Sequence, residues 1–410
     1  MPNEDQEDDI SSLFIDLDYL YQLLSDMVKI NSIIGSEKEL VLFLADVMDS
    51  LGFTVHLDEV EKDRPNLYAS HTFSPHGKTL TFNGHADTID VCRGWTVDPF
   101  TPLKKEGKLF GLGALDMKAG IACEITAIKA LIESTIDLQG VLHFTCIVDE
   151  EGYSKGARKM INSSFGKEKT DGIIIAEPFY GEIENNSLPL GATGKVLYKI
   201  EVHGKSAHAF RPTTGINAIA DAAKIVSTLE ESSATNSEDK NVFVFPKKEK
   251  FGTGNLCALK ITGGYQNYSV MVPDYCEIII NRLIVPGETK QTVVEDLVNF
   301  IGKMDVQSEI NIQIIPPFYF PYEISEKAPL VNSLINSYSM TFDRKPKMGY
   351  LRMITDANVF MGEGKIPTVV FGPKGGNIHS ANEYVEIKSL KKVVEVFVQT
   401  YINFQQKGKK

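Results

Sequence analysis

The chain has 410 residues, and its 54 Asp and Glu outnumber its 42 Lys and Arg, which gives a net charge of −12. At roughly 100–200 residues per domain, this length predicts two or three domains. The acidic balance disfavours nucleic-acid binding, and no segment approaches the ~20 continuous apolar residues of a membrane helix. The first ten residues are too acidic for a signal peptide, and five widely spaced cysteines without a CxxC pair indicate reduced thiols. We therefore expect a cytoplasmic protein with neither a nucleic-acid nor a membrane partner.

The first half of the sequence alternates between helix and strand patterns. After an acidic tail predicted at residues 1–10, apolar residues at helical spacing predict a helix over 17–28. Ser36 and Glu39 predict a capping box at the start of a second helix, which Gly52 ends. Further helices are predicted near 118–133 and 156–163, and strands over 55–60, 67–71, 80–82, 142–148 and 172–176. This order predicts an α/β sheet with its functional residues at the carboxyl ends of the strands.

The pattern changes after residue 190 to the order β-α-β-β-α-β. Strands are predicted over 196–202, 256–261, 276–285 and 309–315, and helices over 216–229 and 289–304. This is the order of the ferredoxin-like split unit. Because helix–strand alternation then resumes, we predict an α/β domain formed by residues 11–192 and 317–410 and interrupted by an inserted domain over 193–316.

Five segments carry metal-ligand residue types where a predicted apolar strand ends or a turn begins. These residues are His85 with Asp87, Asp116, the pair Glu150 and Glu151, Glu177, and His379. Each segment alone has a structural explanation, such as a surface carboxylate pair, a core histidine or a helix cap. Together they indicate more, because carboxylates directly after buried strands are costly unless a cation compensates their charge. Imidazole and carboxylate ligands without thiolates suit zinc, cobalt or manganese.

Five ordered stretches of sequence connect the chain to a known family. They are GHADTIDVCRGWTVDPFTP, GALDMKAGIA, DEEG, HGKSAHAFRP and IHSANEYV. From about residue 15 to 405, the chain resembles the co-catalytic di-zinc amidohydrolases and peptidases typified by acetylornithine deacetylase, succinyl-diaminopimelate desuccinylase, aminoacylases and glutamate carboxypeptidases. The resemblance implies a phosphorylase/hydrolase-like zinc-peptidase catalytic domain. It also implies that the inserted ferredoxin-like α+β domain is a lid through which two chains form a homodimer.

The same resemblance implies two divalent metal ions per chain, with zinc as the first choice and cobalt or manganese as alternatives. Their implied ligands are His85, Asp116, Glu151, Glu177 and His379. Asp116 would bridge the two ions, and its peptide bond to Met117 would be cis. His85 and Glu177 would complete one site. Glu151 and His379 would complete the other.

The remaining implied roles fall on residues that would not bind metal. Asp87 would orient the ligand His85, and Glu150 would act as the general base. His208 of the inserted domain, otherwise a polar loop histidine, would reach the partner chain's site and stabilise the tetrahedral oxyanion. Arg282, otherwise an edge-strand charge, would bind a substrate carboxylate with its guanidinium fork.

The resemblance implies the hydrolysis of an amide bond in an N-acyl amino acid, as acetylornithine deacetylase and succinyl-diaminopimelate desuccinylase perform it, by a hydroxide that bridges two divalent metals. A dipeptidase or carboxypeptidase on the same scaffold remains open, because it would use the same site. A non-catalytic binder of metal or of an amino-acid conjugate is a third interpretation, although neither the base nor a ligand is missing. The expected partner is a small N-acyl amino acid or a short peptide.

Overall fold

A computed structural model describes residues 13–167, 170–178, 187–234, 242–267 and 270–406, so the predicted tail at 1–10 lies outside it. The chain divides into two compact units. Unit 1 comprises Met1–Leu190, Ile324–Gly349 and Thr355–Lys410, and unit 2 comprises Gly191–Glu323 and Tyr350–Ile354. Within the described ranges, no helix has both the length and the apolar character needed to cross a membrane.

The regular elements follow the predicted alternation. The α-helices of the described residues are α1 (Leu17–Lys29), α2 (Lys38–Ser50), α3 (Lys118–Ile132), α4 (Lys155–Asn162), α5 (Ser164–Lys167), α6 (Ala218–Ala234), α7 (Lys290–Ile301), α8 (Pro329–Phe342) and α9 (Ile387–Gln405). The strands are β1 (Thr54–Glu61), β2 (Arg64–Thr72), β3 (Thr79–His85), β4 (Leu103–Lys105), β5 (Lys108–Phe110), β6 (Val141–Ile147), β7 (Gly172–Ile175), β8 (Ser187–Ala192), β9 (Gly194–His203), β10 (Lys247–Lys248), β11 (Gly252–Thr253), β12 (Asn255–Gly263), β13 (Tyr275–Ile284), β14 (Glu309–Tyr319), β15 (Tyr322–Glu323), β16 (Lys347–Leu351), β17 (Thr368–Val370), β18 (Gly375–Gly376) and β19 (Tyr384–Glu386).

The main sheet of unit 1 has six strands in the order β1-β2-β6-β3-β7-β17. β1, β2 and β6 are antiparallel neighbours, whereas β6, β3, β7 and β17 run parallel to one another. His85 at the end of β3 lies opposite Ile147 at the end of β6, and Asn83 lies opposite Ile175 at the end of β7. Because parallel strands share a carboxyl edge, the residues that follow β3, β6 and β7 emerge side by side.

The central helix of unit 1 is α3, whose small and apolar residues are buried from Lys118 to Ile128. It packs against β3, α1 and α9, and α8 packs against α9. The helix approaches the end of β7 closely at Gly120, where an added Cβ would lie 2.0 Å from the carbonyl oxygen of Ala176. Glycine at this position therefore allows the start of α3 to lie beside the segment that carries Glu177.

Unit 2 contains a four-stranded antiparallel sheet in the order β12-β13-β9-β14. With the strands numbered one to four along the chain, this is the order 2-3-1-4, which is the ferredoxin-like arrangement that the sequence predicts. Alternate residues of β9 and β13 form the core with α6 and α7. That core contains Val196, Tyr198, Ile200, Val202, Cys276, Ile278 and Ile280.

The end of the inserted unit lies later than the predicted boundary at residue 316. β14 continues to Tyr319, and Tyr322 of β15 then pairs with Ala192 of β8, so unit 2 extends to Glu323. Residues 350–354 also belong to unit 2, because Arg352 donates hydrogen bonds to two carbonyl oxygens of the 251–253 segment.

The start of α2 differs from the prediction. The capping box expected from Ser36 and Glu39 is wrong, because Glu37 occupies the N-cap position and no side chain caps the helix. The Glu37 carboxylate is fully buried and instead binds the guanidinium of Arg64 on β2. A long-range ion pair therefore replaces the local capping contact that the sequence pattern predicts.

Candidate metal centre

Three neighbouring strands deliver four of the predicted site residues to one edge of the main sheet. His85 is the last residue of β3, Glu150 and Glu151 follow β6 after a two-residue step, and Glu177 follows β7. His85 and Glu177 are buried at 2% exposure each. The prediction that functional residues lie at the carboxyl ends of the strands therefore agrees with their positions in the sheet.

A first group of possible ligand atoms comprises His85, Asp116 and Glu177. The Nε2 atom of His85 lies 3.2 Å from Oδ1 of Asp116 and 3.6 Å from Oε1 of Glu177, and the three atoms of the group lie within 4.8 Å of one another. Burial lowers the pKa of His85, but the hydrogen bond with Asp116 and the nearby carboxylates outweigh it, so its pKa is raised. These distances suit three side chains around one cation.

A second group comprises Asp116, Glu151 and His379. The Nε2 atom of His379 lies 2.8 Å from Oε1 of Glu151 and 3.5 Å from Oδ2 of Asp116. Hydrogen bonds to Asp116 and Glu151 raise the pKa of His379 to about 10. Asp116 thus directs Oδ1 to the first group and Oδ2 to the second, which is the geometry of a carboxylate shared by two cations.

The charge balance of the site favours cations. Burial, followed by the charge of Glu177, raises the pKa of Glu150, and burial followed by the charge of Asp116 raises that of Glu177. In the described part of the chain, the ion-pair partners of Glu151 and Glu177 are the two histidines rather than lysine or arginine. Divalent ions at the two groups would supply the positive charge that these buried carboxylates lack.

Asp87 contacts the segment that carries Glu150 and Glu151. Its carboxylate accepts hydrogen bonds from the main-chain N–H groups of Glu150, at 3.2 Å, and Glu151, at 2.9 Å. The Nδ1 atom of His85 lies 2.9 Å from the main-chain carbonyl oxygen of Asp87 and 3.8 Å from its carboxylate. The backbone of Asp87 therefore orients His85, whereas its side chain fixes the turn after β6, a contact that the sequence does not predict.

A buried carboxylate from the end of the chain holds the loop of Asp116. Glu383 accepts hydrogen bonds from the main-chain N–H groups of Gly113, Leu115 and Asp116 at 2.8–2.9 Å. Burial raises its pKa to about 7. The peptide bond between Asp116 and Met117 is cis, which confirms the sequence prediction. Glu383 lies within the stretch IHSANEYV, four residues after His379, and its place in this motif is the sequence signal that points to it.

Asp356 is a second buried carboxylate near the site for which the sequence pattern predicts no role. It is 1% exposed, and burial raises its pKa to about 7. Its charge contributes to the raised pKa values of Glu150 and Glu177. Asp356 therefore increases the negative potential of the site.

The two predicted site residues of unit 2 are not among the groups described above. His208 lies in a loop, and its Nδ1 accepts a hydrogen bond from the main-chain N–H of Phe210 at 3.2 Å. Arg282 is 1% exposed and pairs with Glu288 at 2.5 Å. Arg282 shares the core-facing side of β13 with the alternate residues Cys276, Ile278 and Ile280. In this structure its guanidinium is not open to a substrate carboxylate, which favours a packing role over the predicted anchoring role.

Comparisons with known proteins identify a family and relatives of the chain. The family model for Peptidase family M20/M25/M40 matches residues 81–403. The chain is 27% identical over 396 residues to the N-formyl-4-amino-5-aminomethyl-2-methylpyrimidine deformylase of Bacillus subtilis, with 90% of this chain and 89% of that protein covered. It is also 27% identical over 343 residues to the succinyl-diaminopimelate desuccinylase of a Sulfurovum species, with 83% and 88% covered.

The fold has solved counterparts as well. The aminopeptidase PepT of Bacillus cereus superposes with a TM-score of 0.76 at 21% identity, over 96% of this chain and all of that one. The matched family model spans most of the chain, including all five candidate ligands. The chain therefore belongs to peptidase family M20/M25/M40 and is a metal-dependent hydrolase of amide bonds.

Proposed function

We propose that the protein hydrolyses the amide bond of an N-acyl amino acid with two divalent ions, of which zinc is the first choice. The observation that carries this proposal is the division of the Asp116 carboxylate between two ligand groups. One ion would be held by His85, Asp116 and Glu177, and the other by Asp116, Glu151 and His379. Bound there, the ions would lower the pKa of a water molecule and polarise the scissile carbonyl.

Glu150 is the proposed general base. It follows β6, adjacent to a ligand, and its raised pKa suits a group that must accept and then release a proton. Its carboxylate takes a proton from the attacking water and returns it to the leaving nitrogen. Asp87 holds the main chain on which Glu150 and Glu151 stand, so that adjacent residues serve the base and ligand roles.

The names of the relatives support a deacylase. The deformylase and the desuccinylase both remove an acyl group from an amine, and the chain covers more than four-fifths of each. A dipeptidase or carboxypeptidase is the second candidate, because the family model that matches the chain is that of a peptidase family. Arg282 is not assigned to the substrate in either case, because it is buried in an ion pair with Glu288.

The proposal is tested by assaying metal-reconstituted protein on a panel of amides. The panel contains acetylornithine, succinyl-diaminopimelate, other acyl amino acids, formyl amines and dipeptides, each with zinc, cobalt and manganese. Turnover of acyl amino acids that a chelator abolishes is the expected result. Turnover confined to peptides would select the second candidate. Two bound ions without turnover of any amide would favour a non-catalytic binder and contradict the proposal.

We also propose that two chains associate through unit 2. β12 is an edge strand of its sheet, and it exposes Leu259 at 59% and Ile261 at 50%. Unpaired strand edges with apolar side chains favour association, and two-fold pairing is the commonest symmetry.

The dimer would bring His208 to the partner chain's site. Because Nδ1 of His208 accepts a hydrogen bond, the neutral ring carries its proton on Nε2 and can donate to an oxyanion there.

Mixing two inactive variants is expected to restore activity. His208→Ala and Glu150→Ala each remove one component of the site. In a mixed dimer, one site combines the intact Glu150 of one chain with the intact His208 of the other. After complete exchange at equal concentrations, about a quarter of wild-type activity should return.

Exchange is verified with differently tagged chains, and each variant mixed with itself is the control. Absence of recovery despite proven exchange would show that His208 acts within its own chain or not at all. A monomer that keeps full activity at nanomolar dilution would contradict the dimer.

A further inference from the structure

A buried arginine joins two elements of unit 1 to the turn that carries the proposed base. Arg64, 8% exposed at the start of β2, donates hydrogen bonds to Glu37 from Nε at 3.0 Å and from Nη2 at 2.5 Å. Nη2 also donates to Oδ1 of Asp149 at 2.9 Å, and Nη1 binds the more exposed Glu61 at 2.6 Å. The hydrogen bonds to Glu37 make the largest contribution to the raised pKa of Arg64, so the guanidinium stays charged.

Asp149 links Arg64 to the main chain of the turn that follows β6. Its Oδ2 accepts hydrogen bonds from the N–H groups of Tyr153, at 3.1 Å, and Lys155, at 3.4 Å, and its carbonyl oxygen accepts from Tyr153 and Ser154. Its φ of 72° is in the left-handed region. At Gly152, an added Cβ would lie 3.0 Å from Oδ1 of Asp149, so the glycine of DEEG leaves room for this carboxylate.

The turn is therefore held from two sides. Asp87 binds the N–H groups of Glu150 and Glu151, and Arg64 binds the preceding Asp149. A buried ion pair contributes little net stability compared with apolar residues of the same volume. The position that the ion pair gives to the turn is a better explanation of its role than its stability, because a displacement of about 1 Å at a reacting group can cost ~10²-fold in rate.

We infer that Arg64 is a positioning residue that fixes the turn carrying Glu150 and Glu151. It is itself held by Glu37, and it contacts the turn through Asp149. Its catalytic consequence rests on the proposed role of Glu150. Its structural consequence does not, since it concerns only the turn from Asp149 to Lys155.

The test compares Arg64→Met with wild type by three measurements. Hydrogen exchange at the Tyr153 and Ser154 amides should accelerate by about tenfold or more, because their acceptor Asp149 loses its anchor. Zinc affinity, measured by competition with a chelator, should fall by up to about tenfold, less than the ~10–100-fold cost of losing a direct partner of a ligand, because Arg64 acts on Glu151 only through Asp149. On a substrate from the amide panel, kcat should fall by about 10–100-fold while KM changes by less than about threefold.

Three further variants separate an effect on the position of the turn from an effect on the stability of the folded chain. Glu61→Gln is the matched control, because it removes a more exposed carboxylate from the same arginine. The other partner of Glu61 is the exposed side-chain ammonium of Lys155 and not a main-chain N–H group of the turn, so all three measurements should stay within about twofold of wild type. Arg64→Lys keeps the charge without the fork and should give intermediate values. In Arg64→Met with Glu37→Leu, the charges of this buried pair are absent and only the buried carboxylate of Asp149 lacks its arginine, so the melting temperature should recover in part while exchange and kcat do not.

Recovery of kcat together with the melting temperature in that double variant would overturn the inference, as would unchanged exchange and kcat in folded Arg64→Met. If Arg64→Met does not fold, Arg64→Lys, which lacks the guanidinium fork that contacts both Glu37 and Asp149, is judged by the same criteria. If wild type turns over no amide, the proposed function fails, but exchange and zinc affinity still decide whether Arg64 fixes the turn.

Discussion

Asp116→Ala is expected to abolish detectable turnover and to leave the chain unable to hold two divalent ions. Asp116 is the one candidate ligand that directs an oxygen to each of the two groups in the described residues. Even the loss of an outer partner of a metal ligand costs ~10–100-fold in affinity or activity, so the loss of a shared ligand should exceed about 100-fold. Elemental analysis after dialysis against saturating zinc or cobalt measures the ions retained per chain.

Glu177→Ala is the matched control for this experiment. It removes a carboxylate of similar burial from the first group alone, so one ion should remain with the group of Glu151 and His379. Circular dichroism should show a folded chain for both variants, because each removes a negative charge from a crowded buried cluster. Two tightly bound ions or wild-type activity in Asp116→Ala would contradict the assignment of the whole centre.

Glu150→Gln is expected to keep both ions and to lose about 10²–10⁴-fold in kcat, the usual contribution of general acid–base catalysis. Glutamine preserves the size of the side chain but cannot accept a proton from water. The turn itself should persist, because Asp87 binds the main-chain N–H of residue 150 rather than its side chain. Steady-state kinetics and metal content, measured on the same preparation, separate the two effects.

The adjacent substitution Glu151→Gln provides the comparison. It replaces the carboxylate that lies 2.8 Å from His379, so metal affinity should fall and added metal should restore part of the rate. For Glu150→Gln, added metal should restore nothing. A near-normal kcat in Glu150→Gln would assign the base to another group, and Asp356 is the buried carboxylate to examine next.

The candidate ligands were predictable from sequence because local pattern and topology agree there. His85 ends an apolar strand of unit 1, Glu151 and Glu177 each follow one, and parallel strands bring such positions to one edge. The order of unit 2 was predictable for a similar reason, since its strand and helix periods are clear along the chain. The roles of the ligands came from the family resemblance rather than from these patterns.

The contacts that support the site were not predictable in this way. Glu383 contacts Asp116 although the two lie 267 positions apart in the sequence, and Glu37 contacts Arg64 from 27 positions away. A helical or strand period describes only neighbouring residues, so it predicts neither pair. The burial of Arg282, in contrast, has a signal in the sequence. Arg282 lies an even number of residues from Cys276, Ile278 and Ile280 on β13, and this alternation predicts a side chain that faces the core. The family resemblance predicts a substrate-binding role instead, and the structure agrees with the alternation.

The contact between Glu383 and the loop of Asp116 has a consequence for the order in which the protein is made. A ribosome synthesises Asp116, then all of residues 191–323, and only afterwards the segments that supply His379, Glu383 and α9. Unit 2 has its own core and can fold on the emerging chain while unit 1 still lacks α9, the helix that packs on α3. Until Glu383 emerges, the amides of Gly113, Leu115 and Asp116 remain without this acceptor, so the metal centre is among the last parts of the nascent protein to form.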